Sequence, residues 1–192
     1  MRYAMVIDLS KCVGCNACVE ACKIEHGTGF GVKYTRIEEV ELGSFPDVKK
    51  AYVPLQCMHC EDPECLKVCA TGATYKAEGG AVLIDQDKCS GCKYCMVACP
   101  YGARFFYEDK ARPKDLLRMD SEEERKGAVE KCDLCIDRLR VGREPACVEV
   151  CPTRARIFGD ADDEKSEVHE LISSGRAKAL KPEHKPSIYY IW

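Results

Sequence analysis

Aromatic side chains are scarce in this chain of 192 residues: they make up 8%, and tryptophan occurs once. The hydrophobic fraction of 46% includes the cysteines themselves, so a conventional apolar core is thin for the length. Something besides packing must help hold the fold. A metal site absent from the unfolded chain does so, because its binding energy adds to folding. No run of about 20 apolar residues is present, so no helical membrane span is expected. Excess charge of one sign is missing too. A net charge of −3 argues against nucleic acid as the main partner. The N-terminus runs straight into Ser10, Lys11 and Cys12, with neither a basic region followed by an apolar one nor a twin-arginine motif. The chain is therefore expected to carry no export signal of its own. Thiols made in a reducing cytosol suit metals better than disulfides.

What is abundant is cysteine. There are sixteen, far above ordinary usage, and they fall into four groups of four. These are Cys12, Cys15, Cys18 and Cys22; Cys57, Cys60, Cys65 and Cys69; Cys89, Cys92, Cys95 and Cys99; and Cys132, Cys135, Cys147 and Cys151. The length allows one or two small domains. Tyr3–Asp8 and Val82–Ile84 are apolar runs that end just before a cysteine group, and both read as strands feeding a binding loop. Residues 103–107 and 155–158 read as return strands. Residues 39–42 and 50–54, separated by Gly43 and Pro46, predict a hairpin. Residues 16–24 and 93–98 predict short helices that carry later cysteines, with Gly14 and Gly91 supplying tight turns. Residues 108–131 hold eight acidic and seven basic residues, the pattern of a solvated insertion or a partner-docking surface. Beyond Gly159 the chain turns acidic. Residues 166–173 predict a helix ended by Gly175, and residues 187–192 a final strand that packs on this chain or on a partner.

The first and third groups read C-x2-C-x2-C-x3-C, the bacterial ferredoxin spacing. Three close thiolates on one loop reach three irons of one cubane. The fourth sits on the following helix and ligates a different cluster, so such motifs work in pairs. Pro100 and Pro152 follow the third and fourth groups as that pattern prefers; Lys23 and Ala70 follow the others. The second and fourth groups have longer third gaps but keep the closing C-x3-C. Zinc ribbons account for these two groups alone and leave the triple runs unexplained. A disulfide framework suits a secreted domain. Sixteen ligands make four complete sets with none left over. His59 and His26 are weaker candidates, as ligands or hydrogen-bond donors. Lys11, Lys88 and Lys131 precede first cysteines and are either surface charge or cations that raise cluster potentials.

These residues resemble the iron–sulfur electron-transfer subunits of the molybdopterin oxidoreductase (dimethyl sulfoxide reductase) family, most nearly the polysulfide/thiosulfate reductase type. YAMVIDLSKCVGCNACVEACK, QCMHCEDPECLKVC, DKCSGCKYCMVACPYGAR and KCDLCIDRLRVGREPACVEVCPTRARIFGD carry the likeness, which spans residues 3–160. It implies an α+β fold of two interlocked ferredoxin-like lobes with hairpin and loop insertions. Residues 1–52 and 128–160 would form the first lobe and 53–107 the second. Residues 108–127 would be a charged insertion and 161–192 a C-terminal extension. It implies four [4Fe–4S] clusters. Their ligands would be Cys12, Cys15, Cys18 and Cys151; Cys132, Cys135, Cys147 and Cys22; Cys57, Cys60, Cys65 and Cys99; and Cys89, Cys92, Cys95 and Cys69. It implies no catalytic residue in this chain. One end would face a molybdenum- or tungsten-bearing catalytic subunit, near the first and fourth groups. The other would face a membrane quinol-oxidising subunit of an anaerobic respiratory complex, cytoplasmic or exported with a signal-bearing partner. A soluble formate dehydrogenase or hydrogenase complex, and a stand-alone polyferredoxin, are the rival settings.

Overall fold

The computed structural model describes residues 1–29, 31–106 and 127–192. Of the charged segment 108–127, only Gly127 lies within the described residues.

Tyr3–Asp8 forms β1, a run apolar on both faces because both are covered. Successive side chains alternate sides. Met5 and Ile7 enter the central core, while Ala4 and Val6 enter a second one. Beyond the first cysteines, Ala17–His26 forms α1. The hairpin follows as β2 (Arg36–Ser44) and β3 (Asp47–Leu55), paired antiparallel from Arg36↔Leu55 to Ser44↔Asp47. Its tip is open to solvent, with Phe45 92% exposed. Its inner end is anchored by buried Val53 and Pro54.

Glu64–Lys67 forms α2, Thr74–Lys76 β4 and Val82–Ile84 β5. The strand β4, leaving the second group, pairs antiparallel with β5, entering the third. After α3 (Tyr94–Val97) come β6 (Phe105–Phe106) and β7 (Val129–Glu130), also antiparallel partners. The expected return strand over 103–107 therefore starts late, at Phe105, and Tyr107 lies outside the described residues. Ala103 and Arg104 precede it as buried coil.

Ile136–Arg140 is α4 and Ala146–Glu149 is α5. Arg156–Asp160, β8, pairs antiparallel with β1, from Tyr3↔Asp160 to Ile7↔Arg156. Helix α6 (Glu167–Ser173) packs Val168 and Leu171 beneath β1. Ile188–Ile191, β9, then runs parallel to β1, Met5↔Ile188 to Asp8↔Ile191, and completes a sheet of order β8-β1-β9. The apolar C-terminus thus packs on its own chain. Its entry segment also holds the second cysteine loop: the Ser187 amide donates to the Met58 carbonyl at 2.8 Å, and its hydroxyl to the His59 carbonyl at 3.0 Å.

Small antiparallel and mixed sheets with short helices make the fold α+β. Helix α1 packs on α5, and α2 on α3. Among the described residues, no helix is long and apolar enough to cross a membrane.

Candidate metal centres

All sixteen cysteines are free thiols. Each C-x2-C loop turns at the residue before its second cysteine, which has positive φ: Gly14 (68°), His59 (44°), Gly91 (69°) and Leu134 (66°). Glycine takes this conformation freely, whereas histidine and leucine are strained in it. In the first and third groups the residue after the second cysteine is also left-handed, Asn16 and Lys93, and it opens α1 and α3. Those helices carry Cys18, Cys22 and Cys95; α2 and α5 carry Cys65 and Cys147.

The thiols converge on small cavities that mix the groups. One is lined by Cys12, Cys15, Cys18 and Cys151, with Arg156 on its wall. A second is lined by Cys22, Cys132, Cys135 and Cys147, beside His26. A third is lined by Cys57, Cys60, Cys65 and Cys99, with Arg104 on its wall. Cys69 and Cys89 are electrostatic neighbours of Cys95. Cys92 lies exposed.

The donor chemistry fits a cationic iron–sulfur core. Burial, then Cys57, Cys65 and Cys99, pushes the Cys60 thiol up to about 12. Burial also pushes Cys135 up to about 12, with Asp133 and Cys147 adding to the effect. Burial and the neighbouring Cys22 hold Cys132 far above the usual thiol range. Four thiols so close cannot all ionise alone; bound iron supplies the compensating positive charge. The outlying cysteines of the second and fourth groups already have donors. The Thr74 amide donates to Cys69 Sγ at 3.3 Å. Thr71 and Thr153 hydroxyls lie 3.8 Å from the sulfurs of Cys69 and Cys151. Burial alone raises these two thiols, but the donors outweigh it and hold both below the usual range.

The histidines separate. His59 is 1% exposed, and its Nδ1 accepts the Val82 amide at 3.0 Å. Its neutral ring therefore carries the proton on Nε2, a buried donor without a partner among the described residues. That orphan suits an acceptor such as cluster sulfur and excludes ligation through Nδ1. His26 Nε2 lies 3.5 Å from Cys135 Sγ and 3.4 Å from Asp133 Oδ1. These three groups could hold a metal ion, but Cys135 already lines the second cavity.

The three lysines separate too. Lys11 pairs with Asp8 at 3.4 Å and Lys88 with Asp85 at 2.8 Å, both lysines at the surface. Lys131 is 5% exposed and donates to the Val82 carbonyl and, at 2.7 Å, to that of Cys132.

The residues that sequence reading missed are Arg104 and Arg156. Both are buried. The signal was present: each ends a C-P-x-x-A-R run, from Cys99 and from Cys151.

Comparison with known proteins agrees with this chemistry. Models described as 4Fe-4S dicluster domains match residues 4–70, 48–115 and 110–161. Two dicluster models over these three overlapping segments, with sixteen cysteines, are consistent with four [4Fe–4S] clusters. A selenate reductase subunit of Mesobacillus selenatarsenatis is 44% identical, covering 100% of this chain and 72% of that protein. The arsenate respiratory reductase iron-sulfur subunit ArrB of Shewanella sp. is 40% identical, covering 100% of this chain and 96% of that protein. A tetrathionate reductase subunit of Salmonella typhimurium is 37% identical, covering 99% of this chain and 72% of that protein. The named substrate changes from one relative to the next, so the motifs carry the subunit type and leave the substrate open. This chain belongs to the 4Fe–4S dicluster family, as an iron–sulfur electron-transfer subunit of the molybdopterin oxidoreductase type.

Proposed function

We propose that the chain relays single electrons between a molybdenum- or tungsten-pterin catalytic subunit and a membrane quinone-reactive subunit, and performs no catalysis itself. When bound, each [4Fe–4S] cluster supplies a one-electron couple; the protein contributes position, burial and tuning. The ligand sets we assign are Cys12, Cys15, Cys18 and Cys151 (set 1); Cys132, Cys135, Cys147 and Cys22 (set 2); Cys57, Cys60, Cys65 and Cys99 (set 3); and Cys89, Cys92, Cys95 and Cys69 (set 4). The observation that carries this is the crossed lining of the cavities, three thiols from one group and one from another. Two interlocked lobes follow from it. The first comprises 1–52 and 128–160, joined through β1–β8 and α1–α5. The second comprises 53–107, joined through β4–β5 and α2–α3.

The sets also fall in a row. Cys18 of set 1 neighbours Cys147 of set 2, and Cys132 of set 2 neighbours Cys57 of set 3. Arg104 faces Cys65 of set 3 and Cys95 of set 4. Each end of the row carries exposed apolar residues beside an exposed cysteine. Val13 stands beside Cys15, and Tyr94 and Val97 beside Cys92. Such ends suit docking partners, the set 1 end facing the pterin subunit. The same row serves either direction of flow; one relative, 40% identical, is a sulfite dehydrogenase subunit of Allochromatium vinosum.

Affinity purification from the native host under anaerobic conditions tests the assignment. A pterin-bearing subunit should copurify, and quinol should reduce the clusters only when membrane components are present. A stable monomer with no such subunit attached contradicts it and favours a stand-alone polyferredoxin.

A further inference from the structure

Arg104 and Arg156 are buried cations that no acidic side chain among the described residues answers. Arg104 and Arg156 are each 4% exposed. Among the described residues neither forms an ion pair with a carboxylate; sulfur faces both. Arg156 donates to Cys18 Sγ and to Cys147 Sγ, both at 3.6 Å, and to the Thr35 hydroxyl at 3.4 Å. Arg104 donates to Cys65 Sγ at 2.8 Å and to the Thr74 hydroxyl at 3.1 Å, and Cys95 is its next thiol neighbour. In each case one threonine fixes the guanidinium, and its remaining donors reach sulfurs of two different ligand sets. The two stand at equivalent places, five residues beyond Cys99 and Cys151. A buried charge without a counter-charge is strongly unfavourable, so the fold retains these arginines only if negative charge gathers around them. Thiolate-ligated clusters, which become more negative on reduction, supply it.

We infer that Arg156 and Arg104 are positioning residues, each the shared counter-cation of the two neighbouring clusters in its lobe: Arg156 for sets 1 and 2, Arg104 for sets 3 and 4. This rests on the ligand sets assigned above. A fixed guanidinium between two clusters stabilises the reduced form of both. It also weakens their mutual repulsion when both are reduced, which keeps adjacent couples close enough in potential to pass an electron on. Its planar fork presents donors to two sulfurs in a fixed geometry, where an ammonium is a compact point charge on a flexible stem.

The test uses the full chain purified anaerobically, with Arg156→Gln, Arg156→Lys, Arg104→Gln and Arg104→Lys. Iron and sulfide are counted, and each cluster is titrated by electron paramagnetic resonance. In each Gln variant two potentials should fall, each by at least a tenfold loss in the reduction constant, about 59 mV for a one-electron couple. The two pairs should not overlap, and the Lys variants should shift the same pairs less. Four clusters with all potentials unmoved overturn the inference, as does movement of one cluster alone. If a Gln variant loads poorly, loss confined to the two clusters of its own lobe supports the sharing. Loss spread over all four, or limited to one, overturns it. Fewer than four clusters in the unsubstituted chain would instead contradict the ligand sets.

Discussion

The Tyr190 phenol donates to the Pro54 carbonyl at 2.8 Å, which ties the last strand of the chain to the strand that delivers the second cysteine group. Tyr190 is fully buried, so the bond forms away from water. Tyr190→Phe keeps the ring and loses the bond. It leaves the buried Pro54 carbonyl without this donor and should cost about 1–3 kcal/mol, read as a lower denaturant midpoint for cluster loss. Deleting residues 187–192 should do far more. It removes β9 from β1, uncovers Met5 and Ile7, and releases the Met58–His59 loop. A truncated chain that still loads all its iron would contradict that role.

Glycines in the binding loops should rank by what surrounds them. At Gly91 a Cβ would meet the Gly127 carbonyl, which is backbone and cannot swing away. At Gly14 it would meet the Tyr52 ring, a side chain that can. Gly72, with φ of 67°, has open space around it, so Gly72→Ala carries only the left-handed strain of about 1–2 kcal/mol. Iron retained per chain should therefore fall in the order Gly72→Ala, Gly14→Ala, Gly91→Ala. Equal losses at all three, whose φ values of 67°, 68° and 69° are nearly the same, would show that backbone strain dominates over contact.

Cys22→Ser separates crossed from uncrossed ligation. Cys22 lies in sequence with Cys12, Cys15 and Cys18, yet lines the cavity of Cys132, Cys135 and Cys147. The variant should damage the cluster of the fourth group and spare that of the first, seen as loss or conversion of one paramagnetic signal. Loss of the first-group signal would show the crossing wrong.

Lysine charge should matter where it is buried. Lys88 is exposed and already paired with Asp85, and surface pairs contribute little. Lys88→Gln should leave every potential unmoved. Lys131→Met leaves the buried Val82 carbonyl and the half-buried Cys132 carbonyl without this donor, at about 1–3 kcal/mol for the buried one. It should lower thermal stability and iron retention. A Lys88→Gln variant with a lowered potential would restore the simple view that each lysine before a first cysteine tunes its cluster.

Much of this architecture was legible in local spacing. Tyr3–Asp8 and Val82–Ile84 form strands as their apolar runs predict, and the hairpin turns between Gly43 and Pro46. Gly14 and Gly91 signalled the left-handed turns. His59 and Leu134 adopt the same turn without the glycine that would announce it, because the surrounding loop imposes it. Lys11, Lys88 and Lys131 look alike in sequence, but only the last is buried, since its ammonium turns inward to the Val82 carbonyl of β5, a placement the neighbouring cysteine does not announce. The partner of β9 was equally hidden. An apolar hexapeptide states that it needs cover, and the edge of β1 supplies it. Arg104 and Arg156 were written twice in the same motif, yet their role requires two cysteine groups distant in sequence to meet.

Chemical analysis of the anaerobically purified chain tests the central claim most directly. Four [4Fe–4S] clusters predict about sixteen iron atoms and about sixteen acid-labile sulfides per chain. Tightly bound zinc with no sulfide would contradict the account outright.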